Sequence, residues 1–298
     1  MSANPMESLA FRQELAARIV ADRATLHVPP GHIYSPIPSA GDVERASRRA
    51  AQSGPDLPGI DLRGEEQLRL LAGLLPLAAD LPAWDRPGAH RYRYDNTWFL
   101  HADAVVCALL LRHLRPARVV EVGCGFSSAL ALDVDELFLG GGTHFTFIDP
   151  DPERLRSLVR DGDLDGRLLA QPVQDVPLRP FERLAAGDVL LVDSSHVMKA
   201  GSDVQYLVDE VYPRLAAGVH VHVHDVFWPF EYPASWLRTG CSLNEAYVVR
   251  AMLTSGGAWE VVLWDSYLER FHRDWLAEHL PLMLAAPHPT GGIWLRRR

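Results

Sequence analysis

The chain has 298 residues, 48% hydrophobic and 22% charged, and its 29 Lys+Arg against 38 Asp+Glu leave a formal net charge of −9. That length and apolar content suffice for one or two domains with a buried core that needs no disulfide or metal, and they exclude a largely disordered chain. The negative balance disfavours phosphate backbones and anionic lipid, so the expected partner is a small molecule, with no nucleic acid and no membrane.

Cys107, Cys124 and Cys241 form no CxxC pair, and their odd number suits a reducing cytoplasm better than a secreted disulfide scaffold. The first ten residues lack a basic patch followed by an apolar core, so no secretory leader is expected. The longest apolar run, residues 104–111, is far shorter than the about 20 residues that span a bilayer. The expected location is cytoplasmic, and a homo-oligomer stays open.

In chain order, residues 6–23 carry helical apolar spacing. Residues 28–38 hold four prolines and predict an extended strap. A polar, Pro/Gly-punctuated loop with a short helix follows over 41–59, then an amphipathic helix over 65–79 and an aromatic, polar bridge over 91–99. A helix is expected over 103–114, with Asp103 placed to cap it. From there strands at 118–122, 143–148, 167–170, 188–192, 218–224, 259–264 and 293–296 alternate with helices at 127–137, 152–159, 203–215, 244–253 and 271–284. Such alternation predicts an α/β fold with a doubly wound, mostly parallel seven-stranded sheet, its ligand outside the carboxyl ends of the strands. Residues 1–102 would form a helical and strap region covering the cleft, and residues 103–298 the nucleoside-binding catalytic domain.

The stretch Val119-Val-Glu-Val-Gly-Cys-Gly-Phe-Ser-Ser128 is the most informative. Gly123 and Gly125 permit a tight turn and close approach to a ligand. Ser127 or Ser128 can cap the next helix, whose first amides suit a carboxylate or phosphate. The next strand ends at Asp149-Pro150, where an acid can accept both hydroxyls of a ribose. These features fit a dinucleotide or S-adenosylmethionine. Three details favour the second: Glu121 stands where it can meet the ammonium of an amino-acid tail, Ser128 replaces the third fingerprint glycine, and the first strand lies past residue 115.

Glu121-Val-Gly-Cys-Gly125, Asp149 and Asp193 resemble the motifs of class I S-adenosylmethionine-dependent methyltransferases, and residues 31–36 and 91–96 resemble a bacterial small-molecule branch of them. The resemblance implies the Rossmann-like methyltransferase fold with an N-terminal helical extension. It implies that Glu121 holds the methionine ammonium, that Gly123, Cys124 and Gly125 pass beneath the cofactor, and that Ser127 and Ser128 belong to the same loop. It places Asp149 and Pro150 at the ribose, Gln174 or Asp175 beside the adenine, and Asp193 and Ser194 at the methionine tail.

At the fourth strand end, Asp193 can orient that tail, ligate a cation or cap the following turn, and His196 is a candidate general base. In the fifth strand His220, His222 and His224 share one face. His224 and Asp225, at its end, complete a candidate catalytic set with His196. The same residue types suit a divalent ion on Asp193 and Asp225, and some relatives of the fold hold magnesium at these two strand ends. The aromatic segment 226–236 reads as a substrate wall, with Trp228, Glu231 and Tyr232 meeting the acceptor and Tyr34 closing from the strap. The expected activity is methyl transfer from S-adenosylmethionine to a hydroxyl or amine of a small secondary metabolite. The alternatives are a fold relative that binds the same cofactor for a non-methylation step, and a nicotinamide-dependent oxidoreductase.

Overall fold

The computed structural model describes residues 27–85, 88, 90–254, 256–286 and 290–298, so the helix expected over 6–23 lies outside the described residues. The chain divides into two compact units, Met1–Gln52 with Glu231–Leu243, and Ser53–Phe230 with Asn244–Arg298.

The second unit contains a seven-stranded sheet of order β3-β2-β1-β4-β5-β7-β6. Its strands are β1 (Arg118–Val122), β2 (His144–Ile148), β3 (Leu168–Leu169), β4 (Val189–Val192), β5 (His220–His224), β6 (Trp259–Trp264) and β7 (Gly292–Arg297). Strands β1 to β5 pair in parallel and β7 runs antiparallel to both neighbours. This is the doubly wound sheet expected from the sequence. Its centre is buried on both faces: β4 is Val-Leu-Leu-Val, with all four residues buried. The chain order reverses between β1 and β4, which places the switch point, and hence the ligand crevice, at their carboxyl ends.

Helices α1 (Ala40–Gln52), α2 (Gly64–Ala78) and α3 (His101–Leu114) precede the sheet in sequence. Every residue of α3 from Ala102 to Leu111 is buried, so it is a core helix and not an amphipathic surface one. Asp103 caps it as expected, from the third helical position: its Oδ2 accepts from the Leu100 amide at 3.3 Å. Between strands lie α4 (Phe126–Val134), α5 (Glu153–Leu158), α6 (Arg179–Glu182) and α7 (Asp203–Tyr206). Then come α8 (Ala234–Arg238), α9 (Glu245–Thr254), α10 (Asp265–Phe271) and α11 (Arg273–His279).

Residues 53–102 belong to the same compact unit as the sheet. Arg91 explains part of this. Its guanidinium donates to Asp133, Glu136 and Asp163, and the Tyr92 amide donates to Asp133 Oδ2 at 2.9 Å. Burial opposes the Arg91 charge, but the Asp163 carboxylate raises its pKa further than burial lowers it. Behind it Trp84, Tyr92 and Tyr94 meet edge to face at 5.3–5.8 Å between centroids.

In the first unit, Ser39 and Asp42 form a reciprocal cap at the start of α1: the Ser39 amide donates to Asp42 Oδ2, and the Asp42 amide donates to Ser39 Oγ. The strap over 28–38 is not extended. Gly31 turns with φ +80° and its amide donates to the Ile37 carbonyl at 3.0 Å, closing a loop.

Candidate active site

Gly123 follows β1 directly and adopts φ +80°. A methyl built on it would lie 1.8 Å from the Asp193 carbonyl oxygen, while the Asp193 amide donates to the Val122 carbonyl at 2.9 Å. The glycine is required by close approach of the β4 end to the β1 end. Gly125 is extended (φ 174°) and opens α4, with Ser128 Oγ accepting from its amide at 3.0 Å. Ser128 therefore caps α4, and Ser127 does something else: its hydroxyl donates to Glu121 Oε1 at 2.5 Å.

Glu121 is fully buried, and its other oxygen, Oε2, has no hydrogen-bond partner. Burial pushes its carboxyl up to about 8, against the pull of Ser127 and Ser128. Ser194 Oγ is a second buried polar atom without a partner, and the Ser194 amide lies 3.1 Å from the methyl position on Gly123. A buried carboxylate oxygen awaiting a donor is costly alone and is satisfied by an ammonium group.

Asp149 closes β2. One oxygen accepts from the Cys124 amide and the other from the Asp151 amide, both at 2.8 Å. Each oxygen keeps a second lone pair, so the carboxylate is held in place and can still accept a diol. Pro150 is exposed beside it. Gln174 is half-buried and donates through Nε2 to the Gly201 carbonyl at 2.8 Å, while Asp175 is exposed in the same short turn. Glu121, Gly123, Asp149 and Ser194 thus gather around the three adjacent strand ends of β2, β1 and β4, and their chemistry fits a nucleoside bearing an amino-acid tail.

The second half of the site lies at β4 and β5. His196 adopts φ +58° and Asp225 φ +55°, uncommon for residues with a side chain. The His196 Nδ1 lies 2.9 Å from Glu245 Oε2, and its Nε2 lies 3.2 Å from Asp193 Oδ1 and 3.7 Å from Asp225 Oδ2. Carboxylates only accept, so both ring nitrogens donate and the ring is an imidazolium. Burial opposes that charge, but Asp193 and Glu245 outweigh it and raise the His196 pKa well above the ordinary value. Both His196 nitrogens are thus engaged by carboxylates, which leaves neither free for the general-base role expected of it.

Burial would raise the Asp193 carboxyl, yet His224 and His196 hold it at about 2, so it stays anionic. Asp225 goes the other way: burial raises it despite the same two histidines. The Asp225 side chain is 21% exposed, against 6% for His224. His224 donates from Nε2 to the Trp98 carbonyl at 3.1 Å, and its Nδ1 faces Asp103 Oδ1 at 3.8 Å. Asp103 in turn pairs with Asp265, which accepts from the Ser266 and Gly292 amides. His222 and His220 do not satisfy one another. Burial pushes them to about 3 and about 4, and neither nitrogen of His222 has a partner as it packs on Trp294.

The site does not fit a divalent ion. Among the described residues no group of three or more His, Cys, Asp and Glu side chains is arranged to hold a metal. His196 Nε2 already stands between the expected ligands Asp193 and Asp225. The substrate wall also differs from expectation. Trp228 packs on Trp264, Tyr267 and Phe271 at 5.1–5.2 Å, as part of a structural aromatic cluster. In the first unit Glu231 pairs with Arg49 at 3.9 Å, Tyr232 is buried and Tyr34 is exposed. Glu245, Asp103 and Asp265 are the members of the network that sequence reasoning missed as chemistry.

Residues 120–226 match the Methyltransf_24 family, described as "Methyltransferase domain". An uncharacterized protein of Archaeoglobus fulgidus is 36% identical over 165 residues, covering 52% of this chain and 73% of its own. Among solved structures, the S-adenosylhomocysteine-bound Podospora anserina methyltransferase PaMTH1 is 14% identical, with 87% of this chain and 97% of that chain covered and a TM-score of 0.43. The O-methyltransferase TomG of Streptomyces achromogenes, in complex with S-adenosylmethionine, is 13% identical, with 85% and 94% covered and a TM-score of 0.42. The family match sets aside the nicotinamide-dependent alternative and falls on the strands that carry Glu121, Asp149, Asp193 and Asp225: the chain is a methyltransferase of the class I S-adenosylmethionine-dependent superfamily.

Proposed function

We propose that the enzyme methylates a hydroxyl or amine of a small-molecule acceptor, with the cofactor at the β1 and β2 ends and the acceptor at the β4 and β5 ends. The observation that carries the reading is Glu121, buried with one unpartnered oxygen beside the glycine turn, on the strand that pairs with β2, whose end leads into Asp149. S-adenosylmethionine supplies, when bound, a methyl group on an already activated sulfonium. Glu121 then pairs with the ammonium group, and Asp149, held by two loop amides, accepts the ribose hydroxyls.

The chain's remaining task is to orient the acceptor and take its proton. Asp225 is the base in this reading. It is the cleft-facing carboxyl that burial raises, whereas Asp193 is held too acidic and His196 has no free nitrogen. Asp225 would take the proton that the acceptor gives up on receiving the methyl group, the bonding pair of the cleaved S–CH₃ bond remaining with sulfur. The net negative chain supports a small, uncharged or cationic acceptor over nucleic acid.

Calorimetry with S-adenosylhomocysteine tests the cofactor half. Binding to the wild type, lost in Glu121→Gln, is expected. No binding of this ligand together with clear binding of NAD would overturn the proposal.

A further inference from the structure

Sequence expectation and structure disagree most sharply at the metal, and the disagreement has a physical cause. A divalent ion between two strand-end carboxylates neutralises them and fixes their directions. Here a side chain stands in that place. His196 reaches Asp193 at 3.2 Å and Asp225 at 3.7 Å through the same nitrogen, Nε2.

The ring is not a loose loop histidine. Its opposite nitrogen is anchored by Glu245 at 2.9 Å, and the Glu245 side chain is 2% exposed. The backbone is anchored as well: the His196 carbonyl accepts from the Asn244 and Glu245 amides at 3.0 and 3.1 Å. Asn244 adds a two-way clamp on Met198, accepting from its amide and donating to its carbonyl. The start of α9 is thus stitched to the loop after β4 at five points, one of which, Glu245 Oε2 on Nδ1, holds the imidazole directly while the other four fix the backbone of the loop that carries it.

We infer that His196, anchored by Glu245, is a built-in cation that takes the place of a divalent ion between Asp193 and Asp225, so that the acceptor site works without metal. This rests on the proposed acceptor side of the cleft, not on the identity of the cofactor. Glu245 is a positioning residue: it acts through His196 and fixes where Nε2 points. With it in place the two carboxylates already carry their counter-charge, and an incoming ion would have to displace a hydrogen-bonded imidazolium.

The test uses the full chain and Mn²⁺ alone, followed by the electron paramagnetic resonance of the free ion. Wild type should leave the free-ion signal undiminished at millimolar Mn²⁺. His196→Ala should free both carboxylates and gain Mn²⁺ affinity by tenfold or more. His196→Asn serves if the alanine variant does not fold. Glu245→Gln keeps an acceptor for Nδ1 but not the charge, and should gain less than His196→Ala. Circular dichroism and S-adenosylhomocysteine calorimetry on each variant report folding and the cofactor site separately. Stoichiometric Mn²⁺ binding by wild type would overturn the inference. So would folded His196 variants that gain nothing, because the histidine would then not be what excludes the ion.

Discussion

The Asp193 carbonyl oxygen lies 1.8 Å from where a methyl group on Gly123 would sit, so the ends of β4 and β1 touch through backbone alone. The two halves of the site, cofactor and acceptor, are joined at that contact. Gly123→Ala must move a strand-end backbone and also adopt φ +80° with a side chain. A cost of at least about 3 kcal/mol is expected. Gly125→Ala is the control. That residue is already extended, and its methyl would meet only the flexible Arg154 Cδ at 3.1 Å. A change within about 0.5 kcal/mol is expected there. Urea unfolding of the two variants checks this pair, and equal losses would refute the close-approach account.

Glu121 predicts a pH dependence. Its ordinary pKa of 4.5 is raised by burial to about 8 in the folded chain. Between those values the folded state binds more protons than the unfolded state, so this group's contribution to stability falls as pH rises through that window. Glu121→Gln should therefore stabilise the ligand-free protein at pH 8 while abolishing cofactor binding. Pairing with an ammonium ion favours the carboxylate, so binding should release a proton near neutral pH and tighten as pH rises from 6 towards 8. Calorimetry in buffers of different ionisation enthalpy measures that release. Binding that takes up protons, or none, would exclude this role.

Asp149 tests the ribose. Asp149→Ala removes a charge-assisted acceptor worth about 1.5–3 kcal/mol, or about 10- to 150-fold in affinity, and also the hold on the Cys124 and Asp151 amides. Asp149→Asn retains one oxygen for that loop and should lose less. A titration with S-adenosylhomocysteine ranks the three proteins. Equal affinity in all three would move the ribose elsewhere.

Trp228 shows where the sequence is ambiguous. Aromatic residues after a ligand-facing strand suit a substrate wall and a packed core equally, because both are apolar. Trp264, Tyr267 and Phe271, which enclose Trp228, are 36–43 residues further along the chain and nothing local announces them. Trp228→Ala should accordingly cost about 2–4 kcal/mol of stability and leave acceptor use unchanged in the folded fraction. Thermal unfolding and a KM for the acceptor separate the two readings.

The strand ends were legible for a related reason. The apolar strands β1, β2 and β4 carry or lead into acids and glycines that a structural strand does not need, so Glu121, Gly123 and Asp149 stand out. Helices ending in prolines were less so. The single helix expected over 271–284 breaks into α11 and a short turn after Leu280, because Pro281 disfavours a helical residue before it. Glu245 was invisible as chemistry, since its meaning comes from His196, 49 residues earlier. Asp103 was read as a cap, which it is, and only the fold brings its second oxygen to His224.

Asp225 separates acceptor chemistry from cofactor binding. Its φ of +55° is tolerated by asparagine better than by most residues, so Asp225→Asn should fold without added backbone strain. It keeps the shape of the carboxylate and removes its capacity to take a proton. Turnover should fall by about 10²–10⁴-fold, the usual share of a positioned base. S-adenosylhomocysteine affinity should stay within about threefold, since Glu121 and Asp149 lie at other strand ends and distant changes are nearly independent. Asp193→Asn is the contrast. Asp193 is already ionised and hydrogen-bonded to His196, so its loss should disturb the clamp and the adjoining Gly123 turn, lowering stability and cofactor affinity together. If Asp225→Asn keeps wild-type turnover on an acceptor that the wild type methylates, the proton goes elsewhere, and Asp225 is only a partner for His196 and His224.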